Sequence, residues 1–188
     1  GPTPQLAARL KPWMLFSLLG VPACQLQEIG RGEEVLDEIL TARAEAAGIP
    51  VEGLETYEDA LGSFGRIDEQ AAFELASDML RLAPREEDIR RTMIGLYGEG
   101  RTGGIAAFST WVVTELAGRR SAEAERLSRR LDEHLVARRN RAWMDTLAPR
   151  MRRGGVFAAF GALHLPGEEG VVALLRRRGF EVERVVLP

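Results

Sequence analysis

Three places in the chain hold side chains whose types and spacing suit chemistry. The first is Gly161-x-x-His164, which follows the apolar run Val156-Phe157-Ala158-Ala159-Phe160 and leads into a Pro166-Gly167 turn. Gly161 and Gly167 let the backbone turn sharply or approach a ligand closely. His164, one of two histidines in the chain, can ligate a metal or move a proton. The second is Glu55, at the end of Ile49-Pro50-Val51-Glu52-Gly53-Leu54, with Glu58 close behind. A carboxylate there can bind a divalent cation or act as a base. The third is Arg139-Asn140. At about 100° per residue, Arg139 falls between Leu135 and Trp143 on the apolar face of a long charged helix. A charge among core positions needs a partner, which can be a carboxylate or a substrate oxyanion.

Each group also has a plainer reading, and the residues alone leave both open. His164 can be a helix-entry histidine satisfied by a backbone carbonyl. Glu55, Glu58 and Asp59 can be a solvated acidic cluster at a helix start. Arg139 can form a structural salt bridge or snorkel at the edge of the core. His134 reads as structural or exposed, and Cys24 as a small apolar residue rather than a nucleophile.

The elements that must position these groups are mostly helical. Residues 4–19 read as a helix that Pro12 kinks or divides. Helices follow over Glu33–Ala47, after the cap Thr56, after the cap Asp68 as far as Pro84, over Arg85–Tyr97, over Ile105–Leu116 and from Ser121 to about Leu147. A last one runs from about Glu168 to Arg178. Short runs at Val21–Ile29, Ile49–Leu54, around Val156 and at Glu181–Val186 read as strand candidates. The fold class predicted is α/β: a helix-rich single domain with a small mixed sheet and a central run of helices. In such sheets ligands gather where strands end, which is where His164 and Glu55 fall.

Bulk properties narrow the partners. The chain has 188 residues, 45% hydrophobic and 28% charged, with net charge −3. That size suits one domain, and the charge gives no reason to expect nucleic acid or an anionic membrane surface. A single cysteine excludes an internal disulfide. No signal peptide is visible, and no stretch reaches the roughly 18 apolar residues of a membrane span. Gly1-Pro2 reads as a tag remnant, which leaves residues 3–188 as the domain.

Several strings, in order, resemble the TraB/PrgY/GumN family, which includes the animal Tiki proteins. They are Leu10-Lys11-Pro12-Trp13, then Leu36-Asp37 through Ala44 to Gly48-Ile49-Pro50-Val51-x-Gly53-Leu54-Glu55-Thr56, and Tyr97-Gly98-Glu99-Gly100. Arg139-Asn140-x-x-Trp143 and Phe160-Gly161-Ala162-Leu163-His164-Leu165-Pro166-Gly167-x-x-Gly170 follow, and Gly179-Phe180 precedes the closing run. The resemblance is nearest to the bacterial GumN-like branch. It implies an α/β fold with two Gly-x-x-His motifs and a glutamate, which in Tiki-like members support a metal-dependent peptidase. By motif, His164 would ligate a divalent metal (Zn, Mn or Co). Glu55 would ligate it or accept the proton of water, with Glu58 as a further ligand. Arg139, with Asn140 beside it, would hold substrate or developing negative charge. The substrate would be a peptide or another small molecule, the compartment extracytoplasmic. The alternative is a protein that binds a peptide without cutting it, as the PrgY branch suggests. The first Gly-x-x-His has no counterpart here. The expectation is therefore the later part of the family domain, with a weakened metal site, little activity, and an exposed sheet edge that favours homodimers.

Overall fold

Prolines and capping side chains set the helix boundaries. The computed structural model describes residues 4–21, 23–116, 118 and 121–185. The chain packs as two compact units, residues 1–86 and 87–188.

The first unit holds α1 (Pro4–Ala7), α2 (Pro12–Leu19), α3 (Ala23–Gly30), α4 (Leu36–Ala46), α5 (Tyr57–Gly65) and α6 (Glu69–Leu82). Pro12 divides the predicted 4–19 helix: it occupies the start of α2, where its missing N–H leaves no bond unmade. Both predicted caps form. Thr56 Oγ1 accepts from the Asp59 N–H at 3.1 Å, and Asp68 Oδ1 from the Ala71 N–H at 2.8 Å. One face of α6 buries Ala71, Ala72, Leu75 and Ala76, and α6 packs against α2. Small alanines let helix axes come close. Trp13 stacks on Phe64 at 6.2 Å. The buried Asp78 is paired with Arg81.

A short 3₁₀ turn, Ala83–Arg85, carries Pro84 and leads into α7 (Glu86–Gly98). The second unit continues with α8 (Thr102–Trp111), which runs into a π-helical segment at Val112–Leu116. Then α9 (Ser121–Asp132), a π-helical segment at Glu133–Ala137 and α10 (Arg138–Arg153) form one unbroken helix. It passes the predicted end near Leu147, takes in Pro149, and stops at Gly154, whose φ of +79° only glycine adopts readily. Helix α11 (Val171–Arg177) packs on α10, and the core there is Trp143, Met144, Leu147, Ala148, Val171, Leu174 and Leu175.

The predicted α/β class is corrected: among the described residues there is no strand and no sheet. Val21–Ile29 falls largely in α3, where Gln25, Leu26, Gln27 and Glu28 are good helix formers. Ile49–Leu54 and Val156–Phe160 are irregular, and Phe157 is 80% exposed. The described part of the closing run, Glu181–Val185, is held by arginines instead of a ladder. Arg176 Nη2 donates to the Val182 carbonyl at 2.7 Å and Arg184 Nη2 to that of Glu99 at 3.1 Å. Val186 lies outside the described residues. An apolar run records burial tendency, whereas a strand exists only through a paired neighbour, which composition does not name. The sheet edge invoked for homodimers thus has no counterpart among the described residues. Among them, too, no helix is long and apolar enough to cross a membrane.

Candidate functional site

The site in the second unit is built on the first two turns of α10. Arg139, Asn140 and Trp143 occupy positions i, i+1 and i+4, which share one side of the helix. All three lie beyond the π-helical segment, so its extra residue leaves their mutual spacing intact. Trp143, 6% exposed, is the centre. Its ring lies 4.5 Å from that of His164 and 5.8 Å from that of Phe160. The Arg139 guanidinium sits over it at 5.1 Å and donates to the Leu135 carbonyl at 3.0 Å. The inward placement of Arg139 expected from helical spacing is what the structure has.

His164 closes a 3₁₀ turn, Ala162–His164, with its N–H bonded to the Gly161 carbonyl at 2.9 Å. Its Nδ1 lies 2.6 Å from Asn140 Oδ1. Asn140 is fully buried, and its Nδ2 donates to the carbonyls of His164 at 3.1 Å and Glu169 at 2.8 Å. Gly167, at φ +85°, makes the turn between those two carbonyls. An open groove of about 520 Å³ runs beside the imidazole, lined by Met93, Ile94, Tyr97, Ile105, Leu135, Leu163, Arg139 and His164 among others. Its walls are mainly apolar, with Arg139 the cationic side chain among them.

An ion-pair network holds the far side of the His164 turn. Arg141 bridges Glu133 and Glu169, the latter at 2.8 Å, and Arg177 reaches Glu169 at 3.3 Å. The hydrogen bond from Arg141 holds the Glu169 carboxyl below the ordinary glutamate range. A depressed folded-state value stabilises above the unfolded value and loses that contribution as pH falls through the folded one. Glu87, lowered first by Arg91 and then by Arg90, acts in the same direction. Urea midpoints should therefore fall on acidification below the ordinary glutamate range, and less steeply in Glu169→Gln. Equal slopes in variant and wild type would remove Glu169 from the account.

Of the other predicted residues, Glu55 is half-buried in a bend just before Thr56, and Glu58 is exposed in the first turn of α5. Both belong to the first unit. His134 lies on the π-helical segment, half-buried, and its Nδ1 has no hydrogen-bond partner among the described residues. The side chain of Cys24 lies outside those described. Two roles escaped sequence reading: Trp143 as the hub and Glu169 as the anchor. The Arg139-Asn140-x-x-Trp143 string held the signal for the first, since i and i+4 meet on a helix.

Fold and site together define a helical protein whose second unit is organised on a histidine–tryptophan–arginine cluster beside an apolar groove. The chain belongs to the TraB/PrgY/gumN family, whose model matches residues 2–184. It is similar to a protein named metalloprotease TIKI homolog from Amphimedon queenslandica. Identity is 27% over 192 residues, covering 94% of this chain and 37% of that protein. The chain thus spans a little over a third of that relative's length. No solved structure matches it significantly.

Proposed function

We propose that the chain is a peptide-directed hydrolase domain in which His164 is the working imidazole. Arg139 is the cation for a substrate carboxylate or developing negative charge. One observation carries the reading: a histidine held on two sides, by Asn140 and by Trp143, borders an apolar groove that also carries an arginine. Family membership supports it, as does the name of the similar protein.

That name implies a metal ion, and the donors do not fit one unaided. A catalytic zinc site usually uses three protein ligands. Among the described residues no group of three or more His, Cys, Asp or Glu could hold a metal. The chemistry assigned to this chain is therefore that of its own groups. Nε2 of His164 can take a proton from water, and Arg139 can orient a peptide carboxylate. A second reading, peptide binding without cleavage, draws on the groove itself: apolar walls and one cation suit a ligand as well as a substrate.

The test is a peptide mixture incubated with the chain, with and without added Zn²⁺, Mn²⁺ or Co²⁺, read by mass spectrometry. Cleavage is expected, reduced about 100-fold or more by His164→Ala. Cleavage retained in His164→Ala would remove that residue from the reaction. Peptide binding without cleavage under any of these conditions would establish the second reading.

A further inference from the structure

We infer that Asn140 is the positioning residue of His164: its amide fixes the imidazole as the Nδ1–H tautomer and so makes Nε2 the lone-pair nitrogen. This deepens the reading of His164 as the working imidazole and rests on it for its functional meaning. The geometry stands without it.

The oxygen and nitrogen of the Asn140 amide are told apart by their partners. One end of the Asn140 side chain faces two backbone carbonyl oxygens, those of His164 at 3.1 Å and Glu169 at 2.8 Å. Carbonyls only accept, so that end must be the NH₂ group, and each of its hydrogens has an acceptor. The flipped amide would set oxygen against two oxygens in a site with no water contact, since Asn140 is 0% exposed. The other end is therefore the oxygen, and it lies 2.6 Å from His164 Nδ1. An amide oxygen has no proton to give, so Nδ1 must carry one. In a neutral imidazole the lone pair then falls to Nε2. The ring of Trp143 packs on the imidazole at 4.5 Å and opposes a ring flip that would put Cδ2 in place of Nδ1 against the amide oxygen.

Asparagine is the residue this position needs. Aspartate could accept from Nδ1–H, but it could not donate to two carbonyls, and its charge would be buried against their oxygens. Glutamine would place the amide one methylene further out. Free histidine favours the opposite tautomer, Nε2–H. Asn140 thus selects against the intrinsic preference of the ring and places the lone pair on Nε2. The same side chain ties the backbone at 164 to that at 169, which holds both ends of the turn that presents the ring.

The experiment uses the full chain with ¹⁵N-labelled histidine and long-range ¹H–¹⁵N correlation, alkaline of the imidazole's titration, with no metal or peptide present. His134→Gln assigns the second ring. Wild-type His164 is expected to show a protonated Nδ1 and an unprotonated Nε2. Asn140→Ala and Asn140→Ser, each checked for native circular dichroism, are expected to move it towards Nε2–H. Nε2–H in the wild type would overturn the inference whether or not either variant folds. So would an unchanged Nδ1–H signal in a folded variant. The spectrum is independent of cleavage: the expected tautomer in a chain that cleaves nothing leaves the inference standing and removes the hydrolase reading.

Discussion

Gly170→Ala is expected to cost about 3 kcal/mol of stability and to disturb the His164 turn along with it. The cost is not conformational, since Gly170 has φ −71° and ψ 152°, which any residue adopts. It is steric. A methyl group at Gly170 would lie well inside van der Waals contact of the carbonyl oxygens of Leu165 and Pro166. Those are backbone atoms and cannot rotate aside as a side chain would. Gly170 is buried, its N–H donates to the Gly167 carbonyl at 3.1 Å, and its carbonyl accepts from the Leu174 N–H at 2.9 Å as α11 begins. Relief of the clash must shift either the start of α11 or the 165–169 segment. The second choice pulls on Glu169, whose carbonyl receives Asn140 and whose carboxylate pairs with Arg141. Gly167→Ala is the contrasting case. Its φ of +85° is unfavourable for alanine, yet nothing lies within 4 Å of an added methyl group. That substitution should cost about 1–2 kcal/mol, through backbone conformation alone. Urea denaturation of the two variants gives the comparison. A Gly170→Ala midpoint at or above that of Gly167→Ala would show that the crowding at position 170 is not what holds the turn.

The contrast between these two glycines shows how far the sequence could be read. Gly167 follows a proline, and its turn was legible from the dipeptide. Gly170 fell inside the helix expected from about Glu168, because the close approach of the Leu165 and Pro166 carbonyls leaves no signature in residue type. The same division holds elsewhere. Thr56 and Asp68 were legible as caps because a cap bonds within one turn of itself. Arg139 was legible as a neighbour of Trp143 because regular helical spacing holds between them. The partner of His164 was not, since Asn140 lies 24 residues away in sequence and only packing brings it there. The sheet failed for a related reason. Val156–Phe160 has the length and polarity of a strand, but pairing is a non-local property, and the described structure gives it no partner. The extra residue of the π-helical segment at Glu133–Ala137 was also invisible, as a count at 100° per residue assumes regular turns throughout.

Trp143→Ala should remove about 4 kcal/mol and with it the fixed geometry of the site. The ring is 6% exposed and joins the Arg139 guanidinium, the His164 imidazole and Phe160. Most of the loss is buried area and the cavity that remains. The ring contacts of Arg139 and His164 add to it, at about 0.5–1 kcal/mol each for groups of this exposure. Trp143→Phe separates area from polarity. The indole Nε1–H is buried with no hydrogen-bond partner among the described residues, so phenylalanine gives up no hydrogen bond found there and removes an unsatisfied donor. Its cost should stay near 1 kcal/mol, the price of a smaller ring in the same place. If polarity mattered more than area, Trp143→Phe would approach Trp143→Ala in its urea midpoint. The His164 tautomer extends the test, because Trp143→Phe keeps a ring against the imidazole and should keep Nδ1 protonated. Trp143→Ala keeps the Asn140 amide against the ring, and a mixture of tautomers in that variant would mean that the aromatic wall and the amide hold the histidine jointly.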